Sequence, residues 1–222
     1  MPDFQQTVQN IVTLFPAFLL SLVVHEFAHA WMAKMFGDNT SEWSGRLTLN
    51  PVVHMDPLGT VVFPMISIVF GGIFFGWARP VPIDTRQFRS YRSGLFWVSF
   101  AGPLSNIILG FLSAILFVAF VKFVPQTSSV YGFFNAFLQS LIIWNFSLAI
   151  FNLLPIPPLD GSNMVLSFLN YNAAQKFMAI QQFSFFLILF LAFSGAFRIL
   201  AYPIYFLREI SLAIASMFFG FA

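Results

Sequence analysis

The chain lacks cysteine altogether and has little charge, and each shortage excludes a class of protein. The absence of cysteine rules out disulfides and thiolate metal ligands, although it leaves the redox compartment open. Only 8% of the 222 residues are charged and 59% are hydrophobic, whereas an ordinary soluble domain has roughly 25% charged residues. The net charge of +2 is too small to indicate a nucleic acid partner. These shortages predict a polytopic membrane protein rather than a soluble globule.

Long apolar runs recur along the chain, and four of them reach the roughly 20 residues that a helix needs to cross the hydrocarbon. They run from about Thr7 to Phe36, Gly94 to Lys122, Phe133 to Leu154 and Phe177 to Phe197. The first has no basic start and no small-residue cleavage site, so we interpret it as a retained span. The stretch from Arg198 to Ala222 predicts either a further short span or an interfacial helix. We expect one integral membrane domain, residues 1 to 222, that is all-α with about five to six membrane segments.

The arginines indicate how the spans are oriented. Residues Arg79 to Arg92 contain four arginines, whereas Pro125 to Gly132 contain no charge. The positive-inside rule therefore places the first loop in the cytoplasm and the second outside. The span from Gly94 then runs outward, and the next span returns to bring Pro155 to Gly161 to the cytoplasmic side.

The segment from Thr60 to Trp77 is long enough for a helix but has features of an extended structure. It is interrupted by Pro64 and Gly71-Gly72 and is rich in β-branched and aromatic residues. The polar connection before it, Gly37 to Gly59, holds Asn50-Pro51 and Asp56-Pro57, which disfavour helix in that connection. If the first span runs inward, this segment enters and leaves from the cytoplasm. We therefore predict a re-entrant β-hairpin that lines a cavity, since lipid cannot satisfy non-helical backbone.

The first span carries two histidines and a glutamate within LVVHEFAHAWMAKMF, residues 22 to 36. On a helix, His25 and His29 share a face, so both imidazoles can reach one zinc ion at about 2.0 to 2.1 Å. Glu26 lies one residue further round, where it can take a proton from water that the metal acidifies. The alternative is that these side chains only pack helix against helix. An ionisable cluster inside a membrane nevertheless indicates function by default.

Catalytic zinc sites usually have three protein ligands, so one more is needed. The candidates are His54 and seven carboxylates, Asp3, Asp38, Glu42, Asp56, Asp84, Asp160 and Glu209. Asp160 stands out because prolines in NLLPIPPLDG break the helix at the cytoplasmic end of a span. His25 lies roughly 27 Å along the first helix, which is the same predicted depth. Alone, Asp160 is more typical of an N-cap for a helix beginning near Ser162, but the shared depth favours a ligand.

Together these motifs resemble the site-2 protease family of intramembrane zinc metalloproteases. The likeness rests on His25-Glu26-Phe27-Ala28-His29 and on the Asn, Pro and Asp-Gly spacing of residues 152 to 161. Three further motifs support it, at residues 45 to 59, 76 to 82 and 102 to 106. The likeness covers nearly the whole chain and is that of a compact member without a PDZ domain.

The resemblance implies one zinc ion per chain and names the residues around it. The implied metal ligands are His25, His29 and Asp160. Glu26 is implied as the catalytic base, and Asn152 as a catalytic residue that orients substrate or stabilises the oxyanion. The family also has a re-entrant β element after its HExxH helix, so we expect residues within Thr60 to Trp77 to pair with an extended substrate.

Two further polar residues are possible supports for the site. His54 is either a supporting or gating residue, or a structural histidine in a loop between Asn-Pro and Asp-Pro. Asn106, near Gly102 and Pro103, either lets helices pack closely or supports the site.

The sequence thus predicts an intramembrane zinc endopeptidase that cuts transmembrane segments of membrane proteins, as in regulated intramembrane proteolysis. We expect it in a bacterial-type cytoplasmic membrane, in contact with the lipid bilayer and with its active site near the cytoplasmic side. A metal-binding transporter or a non-proteolytic scaffold is the alternative. Transport would require a polar path to the outer face, and apart from Lys122 the spans show little of one. A multi-histidine di-iron oxidase is disfavoured because the chain has three histidines.

Overall fold

The fold is known from a computed structural model, which describes residues 4–70, 76–179 and 181–220. Within these ranges the chain forms helices and loops, with no strand. The helices are α1 (Phe4–Met35), α2 (Thr40–Trp43), α3 (Pro51–His54), α4 (Phe63–Phe70), α5 (Tyr91–Phe123), α6 (Tyr131–Asn152), α7 (Asp160–Phe168), α8 (Tyr171–Ala179), α9 (Gln181–Phe193) and α10 (Ala201–Phe219). A π-helix, Pro57–Val62, runs directly into α4, and 3₁₀ turns occupy Thr85–Gln87 and Ala196–Leu200.

Four helices among the described residues are long and apolar enough to span a membrane. Three, α1, α5 and α6, confirm the first three predicted spans. The predicted fourth span, Phe177 to Phe197, is not one straight helix, because two helical stretches, Tyr171–Ser184 and Phe186–Ala192, meet at a bend of 60° within α9. Instead the fourth candidate is Ala196–Phe219, which includes α10. The C-terminal stretch is therefore long enough to span, and the count is four, or five if the bent pair is one span.

Helices α1, α5 and α6 form the centre of the fold. Asn106 of α5 donates to the Ser21 carbonyl and Val98 lies against His29, so α5 runs antiparallel to α1. Phe18 packs edge-on against Trp144, with ring centroids 5.3 Å apart, which joins α1 to α6. On the far side of α5 and α6, α10 covers a buried cluster of Ala114, Ile142 and Phe146 with Ile204 and Leu207. This packing fixes the face of α1 that carries the HExxH motif.

The predicted β-hairpin is wrong in its first arm, because residues 57 to 70 are helical. The cause lies in Asp56-Pro57. The Asp56 carboxylate accepts hydrogen bonds from the Leu58 and Gly59 N–H groups at 3.0 and 2.7 Å, as an N-cap does. Pro57 then occupies the first helical position, where a missing N–H costs nothing. The turn predicted at Gly71-Gly72 lies outside the described residues.

The two ends of this segment nevertheless lie together. The Trp77 N–H donates to the Gly59 carbonyl at 3.0 Å, and the Thr60 hydroxyl donates to the Trp77 carbonyl at 2.8 Å. Pro64, five residues after Gly59, has no N–H to compete for that carbonyl. Arg79 N–H also donates to the His54 carbonyl, at 2.9 Å. The chain therefore returns to the point from which the helical segment departed, and then runs on without regular structure to Asp84.

Candidate metal centre

Two imidazoles on α1 point towards one place, as the spacing of the motif predicts. His25 and His29 lie one helical turn apart and are 7% and 6% exposed. Their Nε2 atoms approach each other to 3.0 Å.

Asp160 follows His29 by 131 residues in the sequence, and its carboxylate lies against both imidazoles. Its Oδ2 lies 3.2 Å from His25 Nε2, and its Oδ1 lies 3.4 Å from His29 Nε2. The alternative prediction of an N-cap is wrong, because α7 begins at Asp160 itself and its N-cap is Leu159. Gly161 permits this close return of the chain, since a Cβ there would overlap the Leu153 carbonyl at the end of α6.

Hydrogen bonds on the far side of each ring define which nitrogen carries the proton. His29 Nδ1 lies 2.7 Å from the Val98 carbonyl oxygen, which can only accept, so Nδ1 must donate. His25 Nδ1 lies 2.6 Å from Asn106 Oδ1, which also accepts. In the neutral form, both rings therefore present Nε2 as a lone pair.

The three groups together suit a metal ion. Two Nε2 lone pairs and a carboxylate converge at 3.0 to 3.4 Å, and Asp160 Oδ2 is buried without a hydrogen-bond partner among the described residues. A single proton would relieve one of these contacts, whereas a divalent cation relieves all three. Ligand atoms about 2.0 to 2.1 Å from a tetrahedral zinc lie about 3.3 Å from one another. The donor set and its spacing therefore fit zinc.

Glycine 102 of α5 keeps the space beside the imidazoles open. A Cβ at Gly102 would overlap His29 Nε2 and lie 2.6 Å from His25 Cε1. Only a residue without a side chain allows α5 to approach the two rings this closely. The Gly102-Pro103 pair thus has a steric role at the site as well as in helix packing.

Glu26 faces the same site and is held by the backbone. It is 9% exposed, and its Oε2 accepts a hydrogen bond from the Val81 N–H at 3.0 Å. Val81 lies between Pro80 and Pro82, neither of which has an N–H to donate. The Val81 N–H is therefore the one backbone donor that this tripeptide can offer to Glu26.

Residues 76 to 84, which we call the strap, are fixed at several points. Arg46 donates to the Arg79 carbonyl at 2.6 Å, Ser41 donates to the Pro82 carbonyl at 2.6 Å, and Asp38 accepts from the Asp84 N–H at 2.7 Å. Hydrogen bonds from the Arg86 side chain and N–H lower the pKa of the Asp84 carboxyl to about 2. That carboxylate stays ionised at any working pH, so the turn after the strap remains capped.

The candidate ligands His25, His29 and Asp160 line a cavity of about 260 Å³ together with Glu26. Val81 of the strap forms one wall, and Asn163, one turn after Asp160 on α7, forms another. Asn152, the predicted catalytic asparagine, lines it from the end of α6, and its Nδ2 donates to the Leu148 carbonyl at 3.0 Å. The structure thus gathers His25, Glu26, His29, Asn152 and Asp160 around one space.

The remaining predicted site residues differ in whether they contact the candidate metal centre. Asn106 contacts His25 directly, so the supporting role that we left open has a structural basis. His54 is fully buried, does not line the cavity, and its Nε2 lies 2.8 Å from the Thr48 carbonyl, to which it donates. Strand pairing with substrate within Thr60 to Trp77 is not supported, because residues 60 to 70 are helical.

Sequence reasoning missed the residues that act through the backbone or from distant elements. Val98 contributes only a carbonyl and Val81 only an N–H, so their side chains give no signal. Val81 lies within the motif at residues 76 to 82, but only the flanking Pro80 and Pro82 indicate that its N–H is the one backbone donor of residues 80 to 82.

Comparison with known proteins identifies the family of the chain. The model of the family described as Peptidase family M50 matches residues 13–193. The chain is 36% identical over 197 residues to the protein named "Putative zinc metalloprotease YwhC" of Bacillus subtilis, covering 84% of this chain and 85% of that protein. It is 35% identical over 185 residues to "Putative zinc metalloprotease Rip2" of Mycobacterium tuberculosis, covering 82% and 67%. No solved structure matches.

Proposed function

Because the chain belongs to peptidase family M50 and is an integral membrane metallopeptidase, we propose that it is a zinc endopeptidase that cuts transmembrane segments of other membrane proteins. The observation that carries this proposal is the shared cavity. The buried Glu26 carboxylate lines the same space as His25, His29 and Asp160. A base beside three convergent metal ligands is the arrangement that metal-assisted peptide hydrolysis needs.

Each residue then has a defined task. Zinc held by His25, His29 and Asp160 would supply Lewis acidity, which acidifies water and polarises a carbonyl group. Glu26 takes a proton from water and delivers it to the leaving amine. The Val81 N–H holds Oε2 at 3.0 Å, and Oε1 accepts no hydrogen bond within the described residues. We assign Oε1 as the oxygen that carries the proton.

Asn152 is the residue that we propose to orient the substrate or stabilise its developing oxyanion. One hydrogen of its Nδ2 is used by the Leu148 carbonyl, which fixes the direction of the amide group. The second Nδ2 hydrogen and Oδ1 remain for a ligand, because an amide group has two donors and an acceptor oxygen. A fixed donor next to a reacting carbonyl stabilises charge as it develops.

We further propose that the reaction takes place in the membrane near its cytoplasmic side, in a bacterial-type membrane and as part of regulated intramembrane proteolysis. Three arginines, Arg86, Arg89 and Arg92, follow the strap, and the loop from Pro125 to Gly132 has no charge. The helical segment of residues 57–70 begins beside the strap, because the Trp77 N–H donates to the Gly59 carbonyl. It would therefore be re-entrant from the cytoplasmic side.

The direct test of this function is Glu26→Gln in the purified protein with a membrane-embedded test substrate. The amide group of glutamine cannot accept the proton, so cleavage should fall by at least about a hundredfold. Zinc content should stay at one per chain, because Glu26 is not a ligand. Glu42→Gln is the matched control, since Glu42 is exposed on α2 and pairs with Lys34.

A chelator should also abolish cleavage by the parent chain, and added zinc should restore it. Full cleavage by Glu26→Gln would refute Glu26 as the base. Zinc binding without cleavage of any membrane segment by the parent chain would favour the scaffold or transporter alternative.

A further inference from the structure

A chain of buried polar side chains runs from His25 through α5 and α6 and back to α1. Ser21, Asn106 and Asn145 are all fully buried. Asn106 Oδ1 lies 2.6 Å from His25 Nδ1, Asn106 Nδ2 lies 2.8 Å from Asn145 Oδ1, and Asn145 Nδ2 lies 2.8 Å from Ser21 Oγ. Ser21 Oγ donates to the Ala17 carbonyl oxygen at 2.8 Å, and this hydrogen bond is the last of the series. We call these three residues the polar relay.

Main-chain carbonyls fix the direction of every hydrogen bond in the polar relay. Asn145 Nδ2 also donates to the Leu141 carbonyl at 2.8 Å, and Asn106 Nδ2 also donates to the Ser21 carbonyl at 2.9 Å. A carbonyl only accepts, so neither amide group can be turned over without placing an oxygen against an oxygen. Asn106 Oδ1 must therefore face His25, and His25 Nδ1 must carry the hydrogen.

The polar relay is also complete. Both hydrogens of each Nδ2 group and the oxygen of each amide group have a partner, and the Ser21 hydroxyl both accepts and donates. Hydrogen bonds in such a series polarise one another, and a buried network that is fully satisfied adopts one arrangement. Burying these groups in an apolar core is tolerated because each has a partner, and the one partner that lies in the metal centre is His25.

We propose that Asn106, Asn145 and Ser21 are positioning residues that hold His25 as the Nδ1–H tautomer, with its Nε2 lone pair aimed at the metal. The proposal rests on the proposed zinc site. It extends the site to α6, because Asn145 acts on His25 only through Asn106. Partners on the far side of a ligand imidazole fix its tautomer and orientation, and their loss typically weakens metal binding by about 10- to 100-fold.

The test is a zinc titration of the purified chain in detergent, with two substitutions at Asn106 that separate positioning from packing. Asn106→Leu has a similar shape but no acceptor, so the zinc dissociation constant should rise by about 10- to 100-fold. Asn106→Asp keeps an acceptor for His25 Nδ1 but loses both donors of Nδ2, so zinc should bind less tightly than to the parent chain and clearly more tightly than to Asn106→Leu. A residue that only fills space would give the opposite order, because the apolar side chain is then the milder change.

Asn145→Leu tests the remote member of the polar relay. Zinc binding should weaken by about three- to tenfold, and this loss should disappear in the Asn106→Leu background, because residues acting in series are not additive. Asn135→Leu is the matched control. It makes the same change on α6, ten residues or about 15 Å away, and should leave zinc binding unaltered.

Nitrogen-15 spectra of the imidazoles give a readout that needs neither zinc nor activity. The chain has three histidines, so each can be assigned by its own substitution. Metal-free His25 should be the Nδ1–H tautomer in the parent chain and should lose this preference in Asn106→Leu. Tight zinc binding by Asn106→Leu, or an Asn145 effect that adds in full, would overturn the polar relay. Failure of the parent chain to bind zinc would instead overturn the proposed function.

Discussion

At the scale of single residues, the candidate site consists of two imidazole Nε2 atoms and one carboxylate, which are all hydrogen-bond acceptors and face one another. The i, i+4 spacing of His25 and His29 and the role of Glu26 beside them can be predicted from sequence, because helix geometry alone brings them together. Asp160 can also be singled out among seven carboxylates, because its predicted depth matches that of His25. The partners of the rings could not be predicted, because Val98 and Asn106 lie 69 and 81 residues away along the chain. No local pattern links residues that far apart.

Gly102 gives a prediction at this scale. Gly102→Ala would place a Cβ against His29 Nε2 and 2.6 Å from His25 Cε1. Forcing an atom into a packed site costs about 1 to 3 kcal/mol, so zinc affinity should fall roughly ten- to a hundredfold. Gly132→Ala is the control, because a Cβ there meets nothing within 4 Å. Unchanged zinc binding in a calorimetric titration of Gly102→Ala would show that α5 does not define the space beside the rings.

At the scale of elements, one kind of dipeptide accounts for the missed helix starts at Pro51 and Pro57. We interpreted Asn50-Pro51 and Asp56-Pro57 as helix-disfavouring, but in both cases the polar side chain caps a helix and the proline is its first residue. Asn50 Oδ1 accepts from the Val52 N–H at 3.1 Å, as Asp56 does from Leu58 and Gly59. A capping residue followed by proline favours a helix start as much as a turn. The apolar residues that follow suit a helix in lipid as well as a strand.

The strap gives a testable prediction at the scale of elements. Val81→Pro removes the N–H that holds Glu26 Oε2, and a hydrogen bond to a charged group contributes about 1.5 to 3 kcal/mol. Cleavage should therefore slow by roughly ten- to a hundredfold, with zinc content unchanged. Val81→Ala keeps the N–H and is the control. Wild-type cleavage rates in Val81→Pro would mean that Glu26 does not depend on the strap for its position.

At the scale of the whole molecule, the packing of α1, α5 and α6 determines where the candidate site lies. The predicted positions of α1, α5 and α6 were confirmed, because each is a long apolar run without interruption. The C-terminal region was harder to predict, since the chain bends by 60° between Ser184 and Phe186 and the span-length helix starts only at Ala196. Gly195, with φ of 75°, adopts the left-handed conformation between the end of α9 and the helix that starts at Ala196. Composition indicates apolar stretches but not where the chain turns.

The absence of cysteine makes the orientation easy to test. Single cysteines at Val52, Arg86 and Thr127, all exposed positions, can be probed in sealed vesicles with a membrane-impermeant maleimide. Val52→Cys and Arg86→Cys should react from one face, and Thr127→Cys from the opposite face, because the loop after α5 lies across the membrane. Labelling of Arg86→Cys and Thr127→Cys from the same face would contradict the proposed topology.

The most direct measurement of the central claim is zinc K-edge X-ray absorption on the purified chain and on Asp160→Ala. The parent chain should hold one zinc, with two imidazole nitrogens at about 2.0 to 2.1 Å and a carboxylate oxygen at about 2.0 to 2.2 Å. Asp160→Ala should lose the carboxylate and bind zinc much more weakly. A parent chain without stoichiometric zinc, or a zinc environment that Asp160→Ala leaves unchanged, would contradict a metal centre built from these three residues.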